Sequence, residues 1–169
     1  MYQERYWKEL YQLKVHVVYL ELYLNDADFK DKGINIFLAC TSSGSIAGWA
    51  VWREIAIVWA IIIAMSQVVT VVKNFLPYKA RIKAVSSLIH DLEDVLLRAE
   101  EKWFDVSEGR LTEEEINKLR FDIRTKKTNA LKKYLGTSTL PTRQKLFEKA
   151  QASADVYFDH FYPTEVSNG

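Results

Sequence analysis

INIFLACTSSGSIAGWAVW (residues 34–52) and IAIVWAIIIAMSQVVTVV (residues 55–72) are separated only by the charged pair Arg53-Glu54. From Ile34 to Val72 no other residue is charged, whereas the chain as a whole carries 23 Lys+Arg and 22 Asp+Glu. An ordinary amphipathic helix mixes apolar and charged residues along its length; here the two kinds are segregated along the chain. As helices the two stretches extend ~28 and ~27 Å, close to the ~30 Å hydrocarbon core of a bilayer. The expected structure is therefore a membrane hairpin with Arg53 and Glu54 in its turn.

The first stretch is diluted by Cys40, Thr41, Ser42, Ser43 and Ser45. Small residues let two helix backbones approach closely, so Ser43, Gly44, Ala47 and Gly48 are read as the packing face of the hairpin. Trp49 and Trp52 flank the charged pair, as interfacial aromatics do. Basic residues cluster before the hairpin at Lys30 and Lys32 and after it at Lys73, Lys79, Arg81 and Lys83. The positive-inside rule places both termini on the cytoplasmic side of the membrane and the turn outside. Trp49, Trp52, Arg53, Lys73, Lys79, Arg81 and Lys83 are then the residues at the lipid-headgroup interface, the basic ones facing anionic headgroups. A secretory leader is not expected, because the apolar run begins only at Ile34.

Outside this region the spacing is helical. Tyr6, Leu10, Leu13, Val17, Leu20 and Leu24 recur at intervals of 4, 3, 4, 3 and 4, a heptad stripe. Trp7, Tyr11, Val15, Val18 and Leu22 give the same segment a second apolar face, so it is expected to be contacted on two sides. A polar stretch from Asn25 to Gly33 reads as its end and as a linker. Val85, Leu88, Leu92, Leu96, Ala99 and Trp103 continue a stripe after Pro77, until Ser107-Glu108-Gly109 interrupts it. Thr112 begins T-E-E-E, a capping box with Glu115, and Gly136 suits a helix C-terminus. A last helix starts near Pro141 and carries Phe147, Ala150, Ala154, Tyr157, Phe158 and Phe161.

The fold class expected is an all-α membrane protein, with an N-terminal amphipathic helix, a two-helix transmembrane hairpin and a cytoplasmic helical bundle. The segments are 1–32 (amphipathic helix and linker), 33–73 (hairpin), 74–162 (cytoplasmic helices) and 163–169 (flexible tail).

Chemistry is sparse. His16, His90 and His160 lie on separate helices without metal-ligand spacing, and His90 with Glu93 and Asp94 reads as a solvated contact. TSSGSIAG lacks the Lys-Ser/Thr of a phosphate loop. The lone Cys40 excludes an internal disulfide and a cysteine-based zinc cluster, and a net charge of +1 gives no reason to expect nucleic-acid binding. No catalytic, cofactor or metal site is expected, and no enzyme. Polar residues inside the hairpin are costly against lipid and should turn inward. Thr41, Ser45, Gln67 and Thr70 are accordingly the candidate pore-lining residues of a homo-oligomer, since two helices alone cannot enclose water.

The order of parts resembles the SLATT group of bacterial two-transmembrane proteins, in the N-terminal helix, the tight hairpin over 34–72 and the tail FLPYKARIKAVSSLIHDLEDVLLRAEEKWFDV. That resemblance implies an effector of a bacterial defence or conflict system. It would assemble in the inner membrane and permeabilise it when a trigger protein or nucleotide signal arrives from a neighbouring sensor. The alternative reading is a membrane-anchored helical scaffold or sensor without pore activity. Its partner protein would dock on Tyr157, Phe158, Phe161, Tyr162 and the two-faced first helix.

Overall fold

A computed structural model of the chain describes the backbone of residues 1–51, 56–75, 78–136 and 140–163, with side chains of these except 42–51, 56, 59, 73–75, 78 and 79. Among the described residues five helices succeed one another: α1 (Tyr2–Val51), α2 (Ala56–Phe75), α3 (Tyr78–Ser107), α4 (Glu113–Leu135) and α5 (Gln144–Phe161). They fall into two compact units, a bundle of Met1–Leu24 with Lys83–Gly169, and a helix pair over Asn25–Ile82.

The all-α expectation agrees with the structure; the membrane expectation does not. Among the described residues no helix is long and apolar enough to cross a membrane. The transmembrane hairpin over residues 33–73, the inner-membrane location with cytoplasmic termini and the pore-forming assignment drawn from it are corrected accordingly. The first stretch is not a helix of its own but the end of α1, and five polar or weakly polar residues crowd its positions 40–45. In α2 the unbroken apolar run reaches only from Ala56 to Met65, or ~15 Å of helix, against ~30 Å of hydrocarbon. Beyond Met65 the run is interrupted by Ser66, Gln67, Thr70, Lys73 and Asn74.

The linker expected at 25–33 is also absent, since α1 continues through it. The reason lies in charge spacing. Lys30 bonds Asp26 at 2.9 Å, Lys32 pairs with Asp28 at 2.7 Å and Asn35 donates to Asp31 at 2.9 Å, each four residues on. Acid before base at this interval is the favourable order on a helix, and each such pair adds a few tenths of a kcal/mol (~0.2–0.5).

In the bundle, α1 and α3 are antiparallel: Gln3 Nε2 donates to the Val106 carbonyl (2.8 Å) and the Tyr6 hydroxyl to the Ala99 carbonyl (2.9 Å). Helix α5 also runs against α1, with Trp7 on Phe158 at one end and Tyr19 on Phe147 at the other. Helix α4 runs with α1, as Glu9 meets Arg124 and His16 meets Lys127. The first helix is thus contacted by α3, α4 and α5. Its stripe Tyr6, Leu10, Leu13, Val17 and Leu20 is buried, together with Val85, Leu88, Leu92, Leu96, Ala99 and Trp103 of α3. Burying a Leu of this kind stabilises by roughly 1.5–3 kcal/mol.

The ends of the helices obey their local chemistry. Helix α3 ends at Ser107, and Gly109 lies just beyond it at φ 67°, a conformation in which glycine has no Cβ penalty. The Thr112 hydroxyl accepts the Glu115 N–H while the Glu115 carboxylate accepts the Thr112 N–H, a complete capping box. Gly136 closes α4 at φ 56°. Helix α5 has no side-chain cap of its own; instead the Tyr19 hydroxyl donates to the Pro141 carbonyl and accepts the Arg143 N–H.

Candidate functional site

The described side chains of α2 are exposed on nearly every side, Ile62, Ser66 and Val69 being the less exposed ones. Ile63, Ser66, Gln67 and Thr70 line a groove of about 430 Å³ whose other wall is Leu38, Ala39 and Thr41 of α1. Val58, Ile61, Met65, Val68 and Val72 point away from it. At 3.6 residues per turn the two sets lie on opposite sides of the helix. The outer five are 50, 54, 56, 62 and 48% exposed, large values for side chains of this type.

The groove is polar by residue type, yet its hydroxyls are turned onto their own backbones. Thr41 Oγ1 donates to the carbonyls of Phe37 and Leu38 (3.0 Å each), Ser66 Oγ to Ile63 (2.8 Å) and Thr70 Oγ1 to Ser66 (2.8 Å). Such back-bonding satisfies the hydroxyl donor. The hydroxyl donors of the groove are therefore already engaged, while the Gln67 carboxamide brings both donor and acceptor groups to it. It presents no pairing of a nucleophile with a base.

Of the residues singled out in the sequence, Thr41, Gln67 and Thr70 are brought to this one groove. The side chains of Ser43, Gly44, Ser45, Ala47, Gly48, Trp49, Lys73 and Lys79, and all of Trp52 and Arg53, lie outside the described residues. Arg81 and Lys83 are exposed on the first turns of α3. Of the C-terminal aromatics one is buried, two are half-buried and one is exposed. Phe158 is buried, Trp7 packs on both Phe158 (4.8 Å) and Tyr162 (5.6 Å), and Tyr157 is held beneath the Lys14 ammonium (3.6 Å to the ring). Only Phe161 of that set is exposed. The tyrosine hydroxyls have fixed partners as well. Burial and the Asp155 carboxylate, 2.7 Å away, push Tyr11 up to about 12, and burial with the Glu100 carboxylate, 2.9 Å away, raises Tyr157 further.

A second, more polar depression lies between α3 and α4 of the bundle. Its larger part is about 290 Å³, with Asp91, Asp94, Arg98, Lys126, Asn129 and Lys133 at its rim. Several of these charges are already engaged with one another or with neighbours, Lys133 with Asp91 (3.0 Å) and Lys126 with Asp122 (2.6 Å). His90 meets Glu93 at 3.2 Å on the surface. Among the described residues no group of three or more His, Cys, Asp or Glu is placed to hold a metal ion.

The outer stripe of α2 is a surface that sequence reasoning did not single out. Its signal was present as the spacing 58, 61, 65, 68, 72, but within a run that is apolar at nearly every position a stripe does not stand out.

Comparison of the chain with protein-family models, with curated proteins and with solved structures gives no match. The fold and this surface define the class: an all-α protein in which a four-helix bundle is joined to a helix pair with an uncovered apolar face.

Proposed function

We propose that this protein is a helical scaffold whose work is protein–protein association. The bundle and the helix pair are separate units, and the second offers its apolar face to another protein. The observation that carries this reading is the outer face of α2, where Val58, Ile61, Met65, Val68 and Val72 are all about half exposed or more. Contiguous exposed apolar patches on a folded protein mark association surfaces, and covering hydrocarbon area of this kind gains roughly 25 cal/mol per Å². No enzymatic activity is proposed. The permeabilising role expected from the resemblance needs two membrane spans and is not carried forward.

The test is capture from the native cells with full-length bait, comparing wild type with Ile61→Glu/Val68→Glu. Association through α2 predicts a protein partner, identical or foreign, retained by the wild type and lost by the variant while the bundle stays folded. Equal partners for both baits would refute it.

A further inference from the structure

We propose that α4 is an acid-released latch: when the His16 ring takes up a proton, α4 comes off α1 and α3 while those two helices and α5 stay packed. The inference goes beyond the association reading above and does not depend on it.

Helix α4 is loosely seated. Of its 23 residues Ile116, Ile123 and Ala130 are the buried ones, whereas on α3 a buried residue recurs at every turn from Val85 to Val106. Helix α5 buries as few, but the rings of Trp7 and Tyr19 clasp Phe158 and Phe147 near its two ends. The seam between α4 and α3 is also incompletely filled. Openings of about 290 and 180 Å³ lie along it, the second reaching Tyr6, Ala99, Leu119 and Ile123. Side chains that border a gap forgo dispersion contacts, and an element with few buried apolar contacts is one that opens locally.

On the α1 side the ties of α4 are polar. Arg124 Nε donates to the Glu9 carboxylate (2.6 Å), and Lys127 Nζ lies 3.4 Å from His16 Nδ1. A neutral His16 accepts from that ammonium. A protonated ring carries a donor on both nitrogens, so the same contact becomes two half-buried cations face to face. The charged groups that act on this pair are Glu9 of α1 and Arg124 of α4, and none comes from α3 or α5. Glu9 is already bonded to Arg124, so a protonated His16 sets three cations against one carboxylate. Burial and the Lys127 charge make the folded ring bind its proton more weakly than the unfolded one. Proton uptake therefore favours release.

The other contacts respond differently to acid. Lys133 and Tyr134 hold the Asp91 carboxyl below its usual value, so the Lys133–Asp91 tie to α3 stays charged as His16 titrates. That pair is solvent-exposed, and such pairs contribute little to holding two helices together. Between α1 and α3 the sign is reversed. Burial and Glu93 raise Glu21 above its usual value, so Glu21 binds its proton more tightly folded and acid favours that packing.

Hydrogen exchange of the full chain, read by mass spectrometry and corrected for intrinsic rates, tests the latch at about pH 8 and about pH 5. Protection of α4 should fall several-fold at the lower pH, with that of α3 and α5 retained. His16→Gln keeps an acceptor beside Lys127 but gains no charge, and should leave α4 equally protected at both. His90→Gln/His160→Gln, at two exposed positions, should open as the wild type does. In that double variant His16 is the sole histidine, and its ring titration, followed by nuclear magnetic resonance, should share its midpoint with the loss of α4 protection. This comparison decides the matter should His16→Gln fail to fold.

Unchanged α4 protection, a loss shared equally by α3 and α5, or an acid response that persists in His16→Gln would overturn the proposal. So would a response absent from His90→Gln/His160→Gln, or an opening whose midpoint departs from the titration of the His16 ring.

Discussion

Glu9, only 7% exposed in the bundle, accepts a hydrogen bond from Arg124 Nε at 2.6 Å, and this pair ties α1 to α4. The two partners are not equally placed, for the arginine side chain is half exposed and the glutamate side chain is not. Removing Arg124 leaves the buried carboxylate without its hydrogen-bonding cation, with the charge attraction of Lys127 still acting on it, whereas removing both groups leaves no buried carboxylate to satisfy. Arg124→Ala should therefore destabilise by about 1–2 kcal/mol, discounted for the exposed guanidinium. Glu9→Leu/Arg124→Leu should lose less than Arg124→Ala alone. Urea unfolding of the set measures both; additive losses would show the pair is not coupled.

Further along the same helix interface sits a titratable contact. His16 Nδ1 lies 3.4 Å from Lys127 Nζ. Burial lowers the His16 pKa below its usual value of 6.5, and the Lys127 charge lowers it further, against a smaller opposite effect of the Gln12 backbone. A histidine that binds its proton more weakly folded than unfolded contributes stability that is complete above the unfolded pKa. That stability declines as pH falls through about 6.5 and further until the folded pKa is passed. Glu9 and Arg124 belong to the same α1–α4 interface. The urea midpoint should be lower under mildly acidic than under mildly alkaline conditions in the wild type, and His16→Gln should flatten that difference. An unchanged slope in the variant would assign it to other groups.

The start of α4 depends on one hydroxyl. Thr112→Ala removes the acceptor for the Glu115 N–H and should cost about 1 kcal/mol. For a chain of this size that is a Tm lower by roughly 2–4 °C. Thr112→Ser restores the oxygen and should recover most of it.

Close approach of α5 to the bundle depends on two alanines. Ala150 and Ala154 are fully buried and lie four apart on one face. Ala154→Leu forces extra carbons into filled space and should destabilise by about 1–3 kcal/mol, whereas Val156→Ser, on the exposed side of the same helix, should stay within about 0.5 kcal/mol of wild type. Thermal unfolding separates them.

The segment leading into α5 hangs on Tyr19. Its hydroxyl is the donor to the Pro141 carbonyl and the acceptor of the Arg143 N–H, and Tyr19→Phe removes both bonds without changing the ring. The cost should be about 0.5–1.5 kcal/mol per bond. Amide exchange at Arg143 should accelerate more than exchange in the middle of α4; uniform acceleration would mean that the hydroxyl acts on the whole bundle.

Much of the bundle was legible from periodicity. Tyr6, Leu10, Leu13, Val17 and Leu20 announce one buried stripe and Leu88, Leu92, Leu96 and Trp103 another, because a helix repeats its faces every 3.6 residues whatever surrounds it. The Thr112–Glu115 cap and the glycine ends at Gly109 and Gly136 were legible for the same local reason. The continuity of α1 through residues 25–33 was also written in the sequence, as pairs four apart, but acidic and basic residues in a run read equally well as a loop.

By itself, then, the sequence determined which residues share a helix and which share a face of it. What each face meets was left to the tertiary structure. Only packing showed that Phe158 is core rather than a docking aromatic, that Glu9 is a buried carboxylate with a partner 115 residues away, and that α2 turns Gln67 and Thr70 towards α1 while its stripe from Val58 to Val72 faces outward. The physical reason is that periodicity is a property of one helix, whereas burial is a property of its neighbours. In a stretch as evenly apolar as residues 55–72, the first carries almost no information about the second.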